Sequence, residues 1–251
     1  MHVKTASRKL FAGGAPALLP ISASQKLLAA ETFLQGASRS PKPLFTKNYE
    51  TMTKHGNFSF ERLADFLNEV GMLKATPRSG FAFLGSGHEN VAEHSYRASV
   101  IGFVLANLAD ADVARVVFLC LFHDLHEART GDFNYVNHRY DSCKARQALE
   151  DAARGTGLEQ MIAGYFDEFC ARESLEAKLA RDADQLDLLC NLRMELARGN
   201  EFARTWIDSA LQRLKTIQAK KLAQAILQAD PNRWWHENVD KDWWINHGEK
   251  S

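Results

Sequence analysis

The stretch Phe118-Leu-Cys-Leu-Phe-His-Asp-Leu-His-Glu-Ala-Arg-Thr-Gly-Asp132 constrains this chain more than any other. Its first half is an apolar run suited to a buried helix, and the run ends in His123-Asp124. Glu127 follows one helical turn after His123, so an imidazole and a carboxylate share a face. Placing His, Asp, His and Glu within five residues at the end of a buried helix costs desolvation free energy unless a metal, a proton partner or water compensates. A divalent cation compensates most simply. The pattern therefore predicts a site at the mouth of a core.

Helical signals surround this stretch. Leu63, Phe66, Leu67 and Val70 recur at i, i+3, i+4 and i+7 between a serine cap, Ser59, and Gly71, which predicts a helix over about Phe60 to Val70. Residues 73–90 read as a long Gly/Ser loop carrying Arg78 and Phe81, and long ordered loops in compact domains tend to be functional. Val91 to Leu108 reads as a helix with Glu93, His94 and Arg97 in its first turns and an apolar body of Val100, Ile101, Val104, Leu105 and Leu108. Asp112 caps the next helix. Its Val113, Val116, Val117, Leu119, Cys120 and Leu121 are apolar nearly all round, so it is expected to be the central helix of a bundle, ending near Thr130-Gly131.

Two further helices are predicted over Tyr140–Ala153 and Leu158–Phe169. Ser174 then opens a long helix to Arg198, whose stripe of Leu175, Leu179, Leu186, Leu189 and Leu196 is opposed by Ala177, Ala180 and Leu188. That helix should pack on two faces, with Asp184 on the small-residue face and Asp182 and Asp187 close by. A last helix is expected from about Phe202 to Gln228, closed by Asp230-Pro231. No alternating strand pattern of useful length occurs, so the fold should be all-α.

A chain of 251 residues with 45% hydrophobic content can bury one sizeable core. Lys+Arg and Asp+Glu balance at 31 each, which excludes a bulk positive field recruiting nucleic acid polymers, and no charge run suggests a helix lying on a membrane. No apolar run approaches the roughly 20 residues that span a bilayer. Cys120, Cys143, Cys170 and Cys190 form no CxxC pair and read as reduced thiols of a cytoplasmic protein. Residues 1–51 hold four of the six prolines and seven Lys/Arg against two acids, Glu31 and Glu50. They are expected to be a poorly structured basic tail, either a transit-like segment or an extension ahead of a start at Met52, leaving 52–251 as the functional domain. Trp234-Trp235 and Trp243-Trp244 are expected to pack the chain end onto the bundle or to make a subunit contact.

Taken singly, His94 could be a helix-start histidine bonded to backbone, His123 a satisfied core histidine, and Asp124 and Glu127 helix-end polars. Their joint placement on helix interiors is hard to explain by packing. Neutral imidazoles with carboxylates suit Mn²⁺, Co²⁺, Fe²⁺ or Zn²⁺, and the lack of a thiolate cluster argues against a closed structural zinc site.

The series Val91-Ala-Glu-His94-Ser, Phe122-His-Asp-Leu-His-Glu-Ala-Arg-Thr-Gly-Asp132 and Ala183-Asp184-Gln-Leu resembles the HD-domain metal-dependent phosphohydrolases, with their order His, His-Asp, Asp. The likeness is closer to the 5′-deoxynucleotidase subgroup, through Glu127 three residues after Asp124, Gly131-Asp132, and Arg78 in a loop before the first His. It covers about Ser59 to Arg198. The resemblance implies a helical bundle with His94, His123, Asp124 and Asp184 as metal ligands, Glu127 as general acid/base, Arg78 as phosphate clamp and Asp132 as sugar contact. Phe81 is a base- or sugar-stacking candidate, although Ser79-Gly80 separates it from Arg78 where some members place Trp directly after the arginine.

The implied reaction is hydrolysis of the 5′-phosphate of deoxyribonucleoside monophosphates, with a divalent ion such as Mn²⁺ or Co²⁺ and a homodimeric assembly. Competing expectations are a triphosphohydrolase, a di-iron oxygenase recruiting His126 or His138, and a non-catalytic nucleotide-binding module.

Overall fold

The structure, a computed structural model, describes residues 58–237. The expected tail over 1–51 and the pair Trp243-Trp244 lie outside these residues. Among the described residues there is no strand, and the sole extended pairing is an isolated antiparallel bridge between Pro77 and Asn90.

Helix ends follow local capping chemistry. α1, Phe60–Val70, opens behind Ser59, whose hydroxyl accepts from Arg62 N–H at 3.0 Å. A 3₁₀ turn at Gly71–Lys74 leads into the expected loop, which contains a single-turn helix, α2, Phe81–Leu84. α3, Val91–Ala109, starts in a reciprocal capping box: Asn90 accepts from Glu93 N–H at 2.9 Å, and the Glu93 carboxylate accepts from Asn90 N–H at 3.0 Å. α4, Val113–Phe122, is capped by Asp112. After the short α5, Glu127–Thr130, come α6, Ala145–Ala153, and α7, Glu159–Ala171. Ser174 caps α8, Leu175–Ala197, and α9, Ala203–Arg213, α10, Ile217–Gln228, and α11, Arg233–His236, follow.

The structure corrects five expectations. The central helix is α8: it packs against α3, α4, α7, α9 and α10 and buries side chains from Ala177 to Glu195 on all sides. α4, expected in that place, leaves Phe118 and Leu121 exposed. α3 turns Val100, Val104 and Leu108 outward and buries Ala98, Gly102, Leu105 and Ala106. A Cβ on Gly102 would meet Cys120 Sγ at 2.8 Å and Val116 Cγ1 at 3.1 Å. Close approach of α3 and α4 thus selects the small face, where composition alone favours the large one.

The helix expected over Phe202–Gln228 is two, broken at Leu214, because Asp182 on α8 accepts from Lys215 N–H at 2.8 Å, Thr216 N–H at 2.7 Å and the Thr216 hydroxyl at 2.7 Å. α6 begins only at Ala145. Ahead of it Tyr140 and Asp141 close a turn on the Asn137 carbonyl at 3.0 Å, and the Asp141 side chain accepts from Ser142 N–H at 2.7 Å, local bonds that compete with helix. Finally, α4 stops at Phe122 instead of running to Thr130.

Two apolar clusters make the core. The larger gathers Leu179, Leu186, Leu189 and Leu192 of α8 against α3, α4, α9 and α10. The smaller joins Phe66, Leu73, Val91, Leu125, Leu149, Ile162 and Phe166. α3 contributes Val91 to the smaller cluster and Ala98 to the larger, with His94 between them. The α4–α5 segment contributes Cys120 to the larger and Leu125 to the smaller, with His123 between them.

Candidate metal and phosphate site

The polar cluster lies along that seam. His94, fully buried, comes from the first turns of α3, His123 and Asp124 from the turn after α4, and Asp184 from the middle of α8. His123 Nδ1 lies 2.7 Å from the Cys120 carbonyl. That carbonyl would take the Asp124 N–H if the helix continued, so the imidazole replaces a backbone donor where α4 ends. Leu125 N–H to Phe122 O and Glu127 N–H to Asp124 O then form i+3 turns, and both residues of the His-Asp pair face the seam.

His94 Nδ1 is likewise engaged, 2.7 Å from Asp187 Oδ2. With both Nδ1 atoms donating, the two Nε2 lone pairs confront each other at 3.2 Å. Asp124 Oδ2 lies 3.0 Å from His123 Nε2 and 3.5 Å from His94 Nε2, and Asp184 Oδ1 lies 3.5 Å from His94 Nε2. Two facing lone pairs ringed by carboxylate oxygens repel one another unless a positive charge, a metal ion or a proton on one Nε2, lies among them. The donor set therefore fits a divalent metal: His94, His123 and Asp184 offer atoms within 4.8 Å of one another, and Asp124 lies beside both imidazoles.

Arg78 adjoins this cluster. Its Nη1 lies 3.3 Å from Asp124 Oδ2 and 3.6 Å from Asp132 Oδ1. Burial opposes the guanidinium charge, but Asp124, Asp132 and Asp184 outweigh it and hold the arginine firmly cationic. Asp132 is fixed in turn by Ser79, whose N–H donates to Oδ2 at 2.6 Å, while Asn134 donates to the Ser79 hydroxyl at 3.1 Å. Burial works against the Asp124 charge as well, and positive charge beside it, on a His123 that is protonated when no metal is bound and on Arg78, holds the carboxyl below its ordinary range.

Glu127 behaves in the opposite way. Burial, reinforced by the Asp124 and Asp132 carboxylates, pushes its carboxyl up to about 10, so it holds a proton at neutral pH. Its Oε2 is buried with no hydrogen-bond partner among the described residues. A protonated, unpartnered carboxyl beside a cationic clamp is the form a general acid takes before a substrate arrives.

A cavity of about 420 Å³ joins these groups. Arg78, His123, Asp124, Glu127, Asp132 and Asp184 lie on its polar side. Phe81, Phe133, Tyr135 and Trp206 form aromatic walls. Phe81 packs on the larger core cluster and lines the cavity too, so it anchors the loop and faces the site. Of the alternative ligands, His138 lines the cavity beside Phe133, whereas His126 is buried against Phe166 with Nδ1 3.2 Å from the Thr130 hydroxyl. Sequence reasoning did not single out Ser79, Asn134, Tyr135 or Trp206. It placed Asp187 nearby without a role, and the i, i+3 spacing from Asp184 was the available signal.

The HD domain family matches this chain over residues 70–227, and the chain belongs to that family. Among curated relatives, 5′-deoxynucleotidase HDDC2 of Danio rerio is 27% identical over 51% of this chain and 67% of its own length. The Homo sapiens HDDC2 is 29% identical, with 55% and 69% covered, and 5′-deoxynucleotidase YfbR of Escherichia coli is 28% identical, with 49% and 71% covered. Among solved structures, a genomics target is 31% identical with a TM-score of 0.56, over 70% of this chain and 99% of that one. A conserved hypothetical protein from Pyrococcus furiosus, at 24% identity and a TM-score of 0.56, shares the fold. No helix among the described residues is long and apolar enough to cross a membrane.

Proposed function

We propose that this chain is a metal-dependent phosphomonoesterase that removes the 5′-phosphate of deoxyribonucleoside monophosphates. One observation carries the reading: a part-buried cationic arginine, Arg78, stands beside the His/Asp cluster and opens onto the same aromatic-walled cavity as a protonated Glu127. The curated 5′-deoxynucleotidases matched above support it. A divalent cation held by His94, His123, Asp124 and Asp184 would lower the pKa of a bound water and draw charge from a phosphoryl oxygen.

The chain's own residues do the rest. The Arg78 guanidinium holds the phosphoryl oxygens, a task its planar fork suits, and moves from its carboxylate partners to do so. Glu127 donates its proton to the departing 5′ oxygen, so the nucleoside leaves as an alcohol. Asp132, pinned by Ser79, accepts from the sugar 3′-hydroxyl and leaves little room for a 2′-hydroxyl. Phe81 and the neighbouring aromatic walls offer the base a stacking surface without naming a particular base.

We read the working unit as a cytoplasmic homodimer, supported by four free cysteines and by the exposed apolar side chains of Val100, Phe103 and Leu108 on α3. Light scattering at micromolar concentration tests that assembly. The activity is tested with chelated protein reloaded with Mn²⁺ or Co²⁺ and offered deoxy- and ribonucleoside mono-, di- and triphosphates. Phosphate release from the deoxynucleoside monophosphates is expected, and no turnover of any monophosphate under any metal overturns the reading.

A further inference from the structure

Behind His94, on the side away from the cavity, lies a charged group to which the reaction above gives no work. Asp187 is fully buried, and its two oxygens serve two different donors: Oδ2 lies 2.7 Å from His94 Nδ1 and Oδ1 lies 2.5 Å from Arg97 Nε. Arg97 also donates from Nη2 to Glu89 Oε1 at 2.8 Å and to the Asp187 carbonyl at 3.3 Å. Glu89 is itself buried.

His94 therefore stands between two sets of acids, Asp124 and Asp184 near Nε2 and Asp187 on Nδ1. A neutral imidazole carries one proton. With that proton drawn to Nδ1 by a buried carboxylate, the Nε2 lone pair is committed to the metal side.

The same corner offers a second possibility that Arg97 closes. Glu89 and Asp187 bring two buried carboxylates within 4.8 Å of one another, close enough to share a cation. The Arg97 guanidinium bonds to both carboxylates, supplying the positive charge those acids need.

We propose that Asp187 is the positioning residue of this centre, locking His94 in the Nδ1–H tautomer, and that Arg97 stands in for a second cation so that each chain holds one metal ion. The proposal rests on the metal-dependent reading above and extends it to stoichiometry and to residues outside the ligand set.

The test reads metal binding and tautomer, not turnover. Isothermal titration of the metal-free full chain with Co²⁺ is expected to show one equivalent for the wild type. Asp187→Asn is expected to bind about 10- to 100-fold more weakly, as loss of an orienting partner does at other metal sites. Arg97, which is 39% exposed and so replaceable with little harm to packing, is changed to Met to free Glu89 and Asp187. Arg97→Met is expected to take up a second Co²⁺. Nitrogen-15 histidine spectra of the Zn²⁺-loaded wild type should show His94 protonated at Nδ1.

Wild-type affinity retained in Asp187→Asn, or the opposite tautomer, overturns the positioning role while leaving the phosphatase reading intact. A wild type that takes two ions, or an Arg97→Met protein that takes only one, overturns the stand-in role. A wild type that binds no metal overturns both the proposal and the function it rests on.

Discussion

Two aspartates two residues apart on α8, and so on opposite sides of the helix, live under opposite conditions. Asp182, nearly fully buried, accepts from two backbone N–H groups and one hydroxyl at 2.7 to 2.8 Å, and every donor belongs to the α9–α10 joint. Asp184 faces a cluster in which imidazole nitrogens oppose each other, two carboxylates crowd one arginine, and Glu127 keeps a buried oxygen without a partner among the described residues. The first carboxylate is satisfied by its own protein and does structural work. The second belongs to a set that its own protein leaves unsatisfied, and such a set is stable only when something else is bound. Polar burial alone does not mark a site. Polar burial that the protein leaves incomplete does.

That contrast is open to attack from the site's side first. Glu127→Gln should lower kcat by about 10² to 10⁴, the range for a lost general acid, while calorimetry still shows the same metal affinity. Unchanged turnover would remove the proton-donor role. The next effect is structural. Asp182→Ala leaves two backbone donors and a hydroxyl of the α9–α10 joint without their acceptor and should cost about 2–3 kcal/mol in urea unfolding, with metal affinity unaltered. If instead metal binding collapses while stability holds, the division between the two aspartates is wrong.

A pH-dependent effect follows from the proton on Glu127. Its folded-state value near 10 lies above the ordinary carboxyl value of 4.5, so the unfolded chain releases this proton at lower pH than the folded one. The resulting penalty is absent below about pH 4.5, grows as pH rises, and levels off above 10. Metal-free Glu127→Gln should therefore be more stable than metal-free wild type at pH 8 and equal to it near pH 4. A constant difference across pH would show that the carboxyl is already ionised. The smallest change is at the helix cap. Thr216→Ala removes one donor to Asp182 and the α10 cap to Ala219 N–H, and should cost about 1 kcal/mol with no effect on turnover.

Much of the helical layout was legible because it depends on neighbours in the chain. Ser59, Asp112 and Ser174 each cap the helix that periodicity predicts, and the two-faced pattern of Leu179, Leu186, Ala177 and Ala180 reappears as burial of both faces of α8. Expectations failed where a distant residue intervened. α3 exposes its larger apolar side chains because Gly102 lets α4 approach, and the 202–228 helix breaks because Asp182 captures two N–H groups more than thirty positions away. The break after Phe122 was hidden too, since a helix that hands one of its carbonyls to His123 keeps an uninterrupted apolar pattern.

By itself the amino-acid sequence determined the all-α class and the residue types bearing on the chemistry, for capping, periodicity and spacing along the chain are local properties. Only the tertiary structure decided that His94 turns Nδ1 to Asp187 and Nε2 to His123, that Arg78 meets both Asp124 and Asp132, and that Asp182 has a different task from its neighbour Asp184. The physical reason is that tautomer, charge state and hydrogen-bond satisfaction depend on which groups come within about 3 Å through space, and spacing along the chain does not contain that distance.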